Sequence, residues 1–499
     1  MSFEKEFESM HKIGEAEVAF HHAMGMIVYD AETAAPEASG EGRGRTLAFL
    51  GDLEYEMMTD PELDKDLKTL EAHKDEFSDY EKREIELTIK KVGSVSKIPK
   101  DEYIASLVLQ DEATTAWKKA KASADFSIFE PYLTKIVEYN RKLARWVNPD
   151  MKPYDALLDL YEEGMDMEFL DRFFDGLRDG LVPLVKEVSG KPQVGNSKIL
   201  RPCPLSDQRE FSKEICSLMG LDMNKVVLAE VEHPFTENFN NSDVRLTTHY
   251  YENNFCDNMY SILHEGGHSM YELNCDDKYN FTVFQGGISM GIHESQSRFY
   301  ENIIGRSKAF TACLLKAAKK YFPEQLADVD EEYFYKAVNR SEAGPVRLEA
   351  DELTYSFHIM VRYEIEKKLI SGELEAKDAP SEWNRLYEEY LGVTPENDAR
   401  GILQDSHWAG GLIGYFPDYA LGSAYGAQML DCMLKEKPGL WNDVAEGDLS
   451  FITGWLSEHI HKYASYYPPK VLFENACGKF DTKYFIDYIR TKMTDIYGL

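Results

Sequence analysis

Two histidines four residues apart, with a glutamate directly after the first, form the stretch HEGGH: His264, Glu265, Gly266, Gly267 and His268. An α-helix turns about 100° per residue, so side chains four apart stand nearly one above the other, and the two imidazoles can grip one metal ion. Glu265 lies a step round the helix, out of ligating position but within reach of a water held at such an ion. Zinc on neutral histidines keeps a position open for that water and lowers its pKa to about 7, which a nearby carboxylate can exploit as general base. The chemistry implied is that of a metallopeptidase.

The surrounding residues, 258–273, have helical periodicity. Met259, Ile262, Gly266, Met270 and Leu273 form an apolar stripe centred nearly opposite His264 and His268, so the histidines face away from the buried side. Two glycines inside a helix cost roughly 1 kcal/mol each relative to alanine, a cost explained by close approach of a substrate or another backbone. A zinc site needs a third protein ligand. The segment GIHESQSRFYEN, residues 291–302, begins a new helix one helix and loop further on, and Glu294 is the candidate there; Glu272 and Glu301 are alternatives on spacing alone.

Residues 1 to about 190 read as amphipathic helices, at 3–28, 80–92, 101–124 and 129–147, with residues 29–44 as a loop or broken helix. A stretch rich in Gly, Pro, Lys and Ser at 188–204 is the best internal boundary, separating residues 1–190 from 191–499 within what reads as one continuous domain. Residues 225–230 and 243–250 have β character and predict a small β-ribbon just before the metal helix. Helical patterns then run to the C-terminus, broken by glycine-rich loops at 286–291 and 408–426. The fold class is mainly α with a small sheet, and no period of 20 to 50 residues repeats.

Acidic residues outnumber basic ones by 88 to 55, a formal charge of −33 that disfavours nucleic acid and anionic membrane as partners. Seven cysteines without a CxxC pair suggest neither a disulfide framework nor a zinc knuckle, and a reducing cytoplasm fits them best. The first twenty residues are too acidic for a secretory signal, and a soluble intracellular protein is expected.

Six ordered motifs carry a more specific resemblance: HPF at 233–235, DVRLT at 243–247, HEGGH, HESQ at 293–296, VRLEAD at 346–351 and GILQDSHW at 401–408. Together they resemble the carboxypeptidase Taq family of metal-dependent carboxypeptidases, over most of the chain. The resemblance implies a helical peptidase fold with a deep active-site cleft, residues 1–190 forming one side and residues 191–499 holding the metal. It implies a homodimer that removes single amino acids from the C-termini of peptides with broad preference. His264, His268 and Glu294 would bind one divalent ion, zinc first, cobalt or manganese as alternatives, and Glu265 would be general base and acid. Tyr415 of the GYFP stretch and His407 are candidates for stabilising the oxyanion.

An exopeptidase must also recognise a free carboxylate, for which a guanidinium fork is suited; Arg347 is favoured, and Arg245 could bind substrate or shape the cleft. Asp351 and Asp405 are candidates for orienting the ligand histidines. The chain departs from the family at Tyr29, where relatives carry Trp, and at Ala464, where they tend to carry Gly. The rival readings are a zinc oligopeptidase or dipeptidyl carboxypeptidase and, less favoured, a peptide-binding protein without activity.

Overall fold

The helix carrying HEGGH runs Phe255–Leu273 in the computed structural model, which describes residues 3–499. Met259, Ile262 and Met270 of its apolar stripe are buried, while His264 and His268 stay partly accessible on the other side. The described residues fold into twenty α-helices, eight short 3₁₀ or π segments and one sheet, joined by loops. The expected ribbon is a three-stranded sheet: β1 (Val226–Glu230), β2 (Thr236–Asn240) and β3 (Asp243–Thr248). The order is β1-β3-β2, with β3 parallel to β1 and antiparallel to β2. TENFN of β2 is too polar to announce a strand, yet it pairs with β3 and lies against the metal helix, where Thr236 meets Glu265.

Glycine explains the two largest departures from the expected elements. Residues 29–44 take the broken-helix alternative: a first helix continues through Thr33, and after a short turn a second runs Gly40–Met58. Its Gly42 and Gly44 face open space, so their cost is confined to helix propensity, which the flanking residues outweigh. Within 408–426 the loop ends at Phe416, and a helix runs Pro417–Glu436 with proline in its first turn. Gly422 and Gly426 sit inside that helix because other chain segments press on them. A Cβ on Gly422 would lie 2.8 Å from atoms of Glu294, and one on Gly426 2.8 Å from Ile303. The 286–291 loop ends earlier than expected, in Ser289 at φ 54°, whose hydroxyl caps the helix Met290–Arg298.

One apolar core extends from Leu87 to Ile496, with a smaller cluster of Met10, Ile13, Met58, Leu63, Leu67, Leu70, Ile85 and Val92 among the first helices. Ala464, where glycine was expected from the family, has φ 46° and ψ −128°, a region that suits glycine and strains a side chain with a Cβ. Among the described residues no helix is long and apolar enough to cross a membrane.

Candidate metal centre and cleft

Gly267 is the reason the two metal-ligand helices can meet. A Cβ there would fall 2.4 Å from the carbonyl oxygen of Gln296 and 2.6 Å from Cα of Ser297, both backbone atoms of the helix Met290–Arg298. That helix is thus pressed against the metal helix on one side and against Gly422 on the other. Its N-terminus is held by Glu162, which accepts from the backbone N–H of Gly291 at 2.9 Å.

The result brings His264, His268 and Glu294 together, with one potential ligand atom from each lying within 4.8 Å of the others. Oε2 of Glu294 is 3.8 Å from Nε2 of His264 and 3.7 Å from Nε2 of His268. Ligands about 2.0–2.1 Å from a tetrahedral ion are separated by about 3.3 Å, so small adjustments would close this set around zinc or a similar cation.

Both histidines present the right nitrogen. Nδ1 of His264 donates to Glu301 at 2.9 Å. Nδ1 of His268 is 2.8 Å from Nδ1 of His293, whose Nε2 is 2.7 Å from Glu272. The carboxylate of Glu272 requires a proton on Nε2 of His293, which leaves Nδ1 of His293 as acceptor and assigns the His268 proton to Nδ1. Nε2 of each ring is therefore the nitrogen that faces the proposed ion, unprotonated on His268 and freed on His264 when its second proton leaves. Of the alternatives for third ligand on spacing, Glu301 bonds His264 directly, and Glu272 bonds His293, the neighbour of His268. Asp351 and Asp405, candidates for orienting the ligand histidines, make structural bonds: Asp351 binds Ser341 and Thr354, and Asp405 binds Arg347 and Arg362.

Glu265 is buried beside this cluster, and the Thr236 hydroxyl is 2.7 Å from its Oε2. Burial pushes its carboxyl upward, opposed by His264 and Thr236. For His264 burial acts downward, but Glu294 and Glu301 prevail and raise it to about 9, whereas burial and His293 hold His268 well below its ordinary value. If these residues bind the ion, its uptake at pH 7 should displace close to one proton per chain, from His264 and not His268. Apparent affinity should rise about tenfold per pH unit up to about pH 9, because the imidazolium below that pH competes with the ion. Calorimetric Zn²⁺ titrations in buffers of different ionisation heat check this; release of no proton, or of two, would contradict it.

A cleft of about 780 Å³ opens over the centre, lined among others by His264, Glu265, Glu294, Arg298, Arg347 and Tyr419. Arg347 is only 7% exposed; its Nε is 2.9 Å from Asp405 and its Nη1 is 3.1 Å from the Tyr355 hydroxyl. Burial opposes ionisation of Asp405, yet Arg362 and Arg347 hold it well below the usual carboxylate range. Two guanidinium groups against one carboxylate leave surplus positive charge there. Arg245 lies outside that lining, on β3, paired with Asp243 at 2.6 and 3.0 Å.

Tyr415 and His407 flank Tyr419: the tyrosine rings are 5.4 Å apart, and Nε2 of His407 is 3.3 Å from the Tyr419 hydroxyl. The loop bearing them is fastened by Glu366, which accepts from Trp408, Gly414 and Tyr154 at 2.7–2.8 Å. Sequence reasoning did not single out Tyr419, Tyr355 or Arg298. Helical spacing could have found one of them, since Arg298 is four residues after Glu294.

The family model described as Carboxypeptidase Taq (M32) metallopeptidase matches residues 9–493. "Carboxypeptidase 1" of Bacillus subtilis (strain 168) is 38% identical over 503 residues, covering 100% of this chain and 99% of its own. "Thermostable carboxypeptidase 1" of Pyrococcus furiosus is 36% identical, with 95% of each covered. The crystal structure of an M32 carboxypeptidase from Deinococcus radiodurans R1 superposes with a TM-score of 0.95 at 31% identity, covering 99% of this chain and 100% of that one. Metallocarboxypeptidase 1 of Trypanosoma cruzi does so with a TM-score of 0.94 at 29% identity, over 99% and 100%.

Proposed function

The chain belongs to the carboxypeptidase Taq (M32) metallopeptidase family, a family of peptide-bond hydrolases, and on that premise we propose that it removes single amino acids from peptide C-termini with broad preference. His264, His268 and Glu294 hold one divalent ion, zinc first, with cobalt or manganese as alternatives. The convergence of these three groups, with the Nδ1 of both imidazoles engaged and the Nε2 turned toward one point, is the observation that carries the reading. Such an ion, when bound, polarises the scissile carbonyl and acidifies the attacking water.

Glu265 accepts the proton of that water and returns it to the departing amine; Thr236 holds one of its oxygens, and burial raises its basicity. Tyr415 offers its hydroxyl to the developing oxyanion, since burial pushes its pKa up to about 12 and keeps it a donor at neutral pH. His407, pushed down to about 4 by burial, is neutral and orients Tyr419. Arg347 receives the substrate's terminal carboxylate on its surplus positive charge. Arg245, tied to Asp243, shapes the sheet beside Glu265.

A free peptide and its C-terminally amidated twin, digested with metal-loaded protein and followed by mass spectrometry, test this reading. The free peptide should lose one residue at a time and the amidated one should survive; internal cuts or two-residue steps would overturn the proposal. Arg347→Ala should raise KM for free peptides about 10–100-fold, the loss of one charge-assisted hydrogen-bonded contact. Asp405 keeps Arg362 as its partner, so the variant leaves no unpaired buried charge. An unchanged KM would remove Arg347 from substrate binding.

Residues 1–190 are proposed to close one side of the cleft, supported by the contacts of Tyr161 with Tyr415 and of Tyr29 with Phe235. A homodimer is proposed on an apolar face of two neighbouring helices. Phe49, Leu53 and Met57 are exposed on one, and Ile104, Leu107 and Val108 on the helix Lys100–Ser123, with Tyr55 stacked on Tyr103 between them. A monomer in sedimentation velocity would refute this. We also place the protein in the cytoplasm, from its unpatterned cysteines, which cell fractionation tests.

A further inference from the structure

We infer that Arg298 is a positioning residue: it restricts Glu294 to a one-oxygen ligand by binding that carboxylate's other oxygen. The inference rests on the reading of Glu294 as a metal ligand and adds a residue to it. Glu294 and Arg298 are four residues apart on the helix Met290–Arg298, and so share a face. Oε2 of Glu294 faces the two imidazoles, while Oε1 accepts a hydrogen bond from Nε of Arg298 at 2.7 Å. A carboxylate with both oxygens free can close on a cation with both, filling a position needed for water and substrate. A charge-assisted bond of this length engages one of them beforehand.

The guanidinium is itself held from two other directions. Its Nη1 is 3.6 Å from Oε2 of Glu301, the same oxygen that accepts from His264. Its carbon lies 4.1 Å from the centre of the Tyr355 ring, a cation–π contact that holds it in place. Arg298 thus joins the carboxylate that would bind the ion to the carboxylate that orients a histidine, and offsets part of the negative charge of Glu265, Glu294 and Glu301. A lysine could supply the charge but not donate to Glu294 while facing Glu301 from the same rigid plane.

Co²⁺ serves as the probe, because its visible absorption is strong in four-coordinate sites and weak in five- or six-coordinate ones. The full-length protein and Arg298→Gln are loaded with Co²⁺, and spectrum, Co²⁺ affinity, kcat and KM are measured, with circular dichroism and Tm as controls of folding. In the Gln variant the absorption should weaken, and kcat or Co²⁺ affinity should fall about 10–100-fold, the usual effect of losing a group that orients a ligand, with KM nearly unchanged. Arg298→Lys should recover part of the affinity without the parental spectrum. A parental spectrum with parental kcat in folded Arg298→Gln overturns the inference. If Arg298→Gln does not fold, Tyr355→Leu, which uncaps Arg298 but leaves it present, must show the same spectral change in smaller degree; an unchanged spectrum there also overturns it. Failure of the underlying reading looks different: His264→Ala would then take up Co²⁺ as well as the parent, and both proposals would fall together.

Discussion

Glu265→Gln should keep its metal and lose about 10²–10⁴-fold in kcat, the range of a missing general base. The amide matches the carboxylate in shape and still offers an oxygen to the Thr236 hydroxyl, 2.7 Å from the present Oε2, so packing is preserved. What disappears is the capacity to accept a proton from water and hand it to the amine. Neutralising one of three clustered carboxylates also removes negative charge near the ion, so metal content has to be measured beside turnover. His264→Ala is the counterpart: there metal and activity should vanish together, because a ligand and the partner of Glu301 are both gone. Activity retained in the Gln variant at full metal content would eliminate Glu265 as the base.

Gly267→Ala should disturb the centre without touching any group that does chemistry. The new methyl would stand 2.4 Å from the Gln296 carbonyl oxygen, where ordinary contact begins at 3.4 Å, so the two helices must part by about 1 Å. The second helix cannot simply retreat, because Gly422 already abuts Glu294 from behind. Overpacking of this kind costs about 1–3 kcal/mol of stability, and a displacement of about 1 Å costs on the order of 10²-fold in rate. Metal affinity should fall with it, since Glu294 rides on the displaced helix. Gly266→Ala is the control: its methyl would meet the side-chain end of Met219, which can move, so Tm, metal content and kcat/KM should change little. Equal effects at the two glycines would show that helix propensity, not contact between backbones, is what matters there.

These two glycines also mark where sequence reading succeeds and where it stops. HEGGH spacing was enough to place two imidazoles on one helical face and Glu265 beside them, because the rotation per residue is a local property of the backbone. The apolar stripe likewise predicted which side of that helix would be buried. The pair of glycines announced a close approach but not its partner. Glycines at 40–44 left a loop or a broken helix open and those at 422–426 were read as a loop, although one group lies on an open helical face and the other under neighbouring side chains. Local composition cannot distinguish those cases.

Among acidic residues the limit is sharper. On spacing alone Glu294 was only narrowly the candidate for third ligand, with Glu272 and Glu301 as alternatives, and motif resemblance was needed to make the choice firm. Glu294 lies in the cluster, Glu301 bonds one of its histidines and Glu272 is linked to it only through His293, whereas Asp351 and Asp405, adjacent to the right motifs, are engaged elsewhere. Periodicity determines the face of a helix on which a carboxylate lies; the packing of that helix determines what it meets. The candidate base and the imidazole pair were therefore settled by one turn of backbone. The third ligand, the hydrogen bonds that set each imidazole tautomer, and the guanidinium groups at the cleft depend on contacts between segments tens to hundreds of residues apart, and only the folded chain decides those.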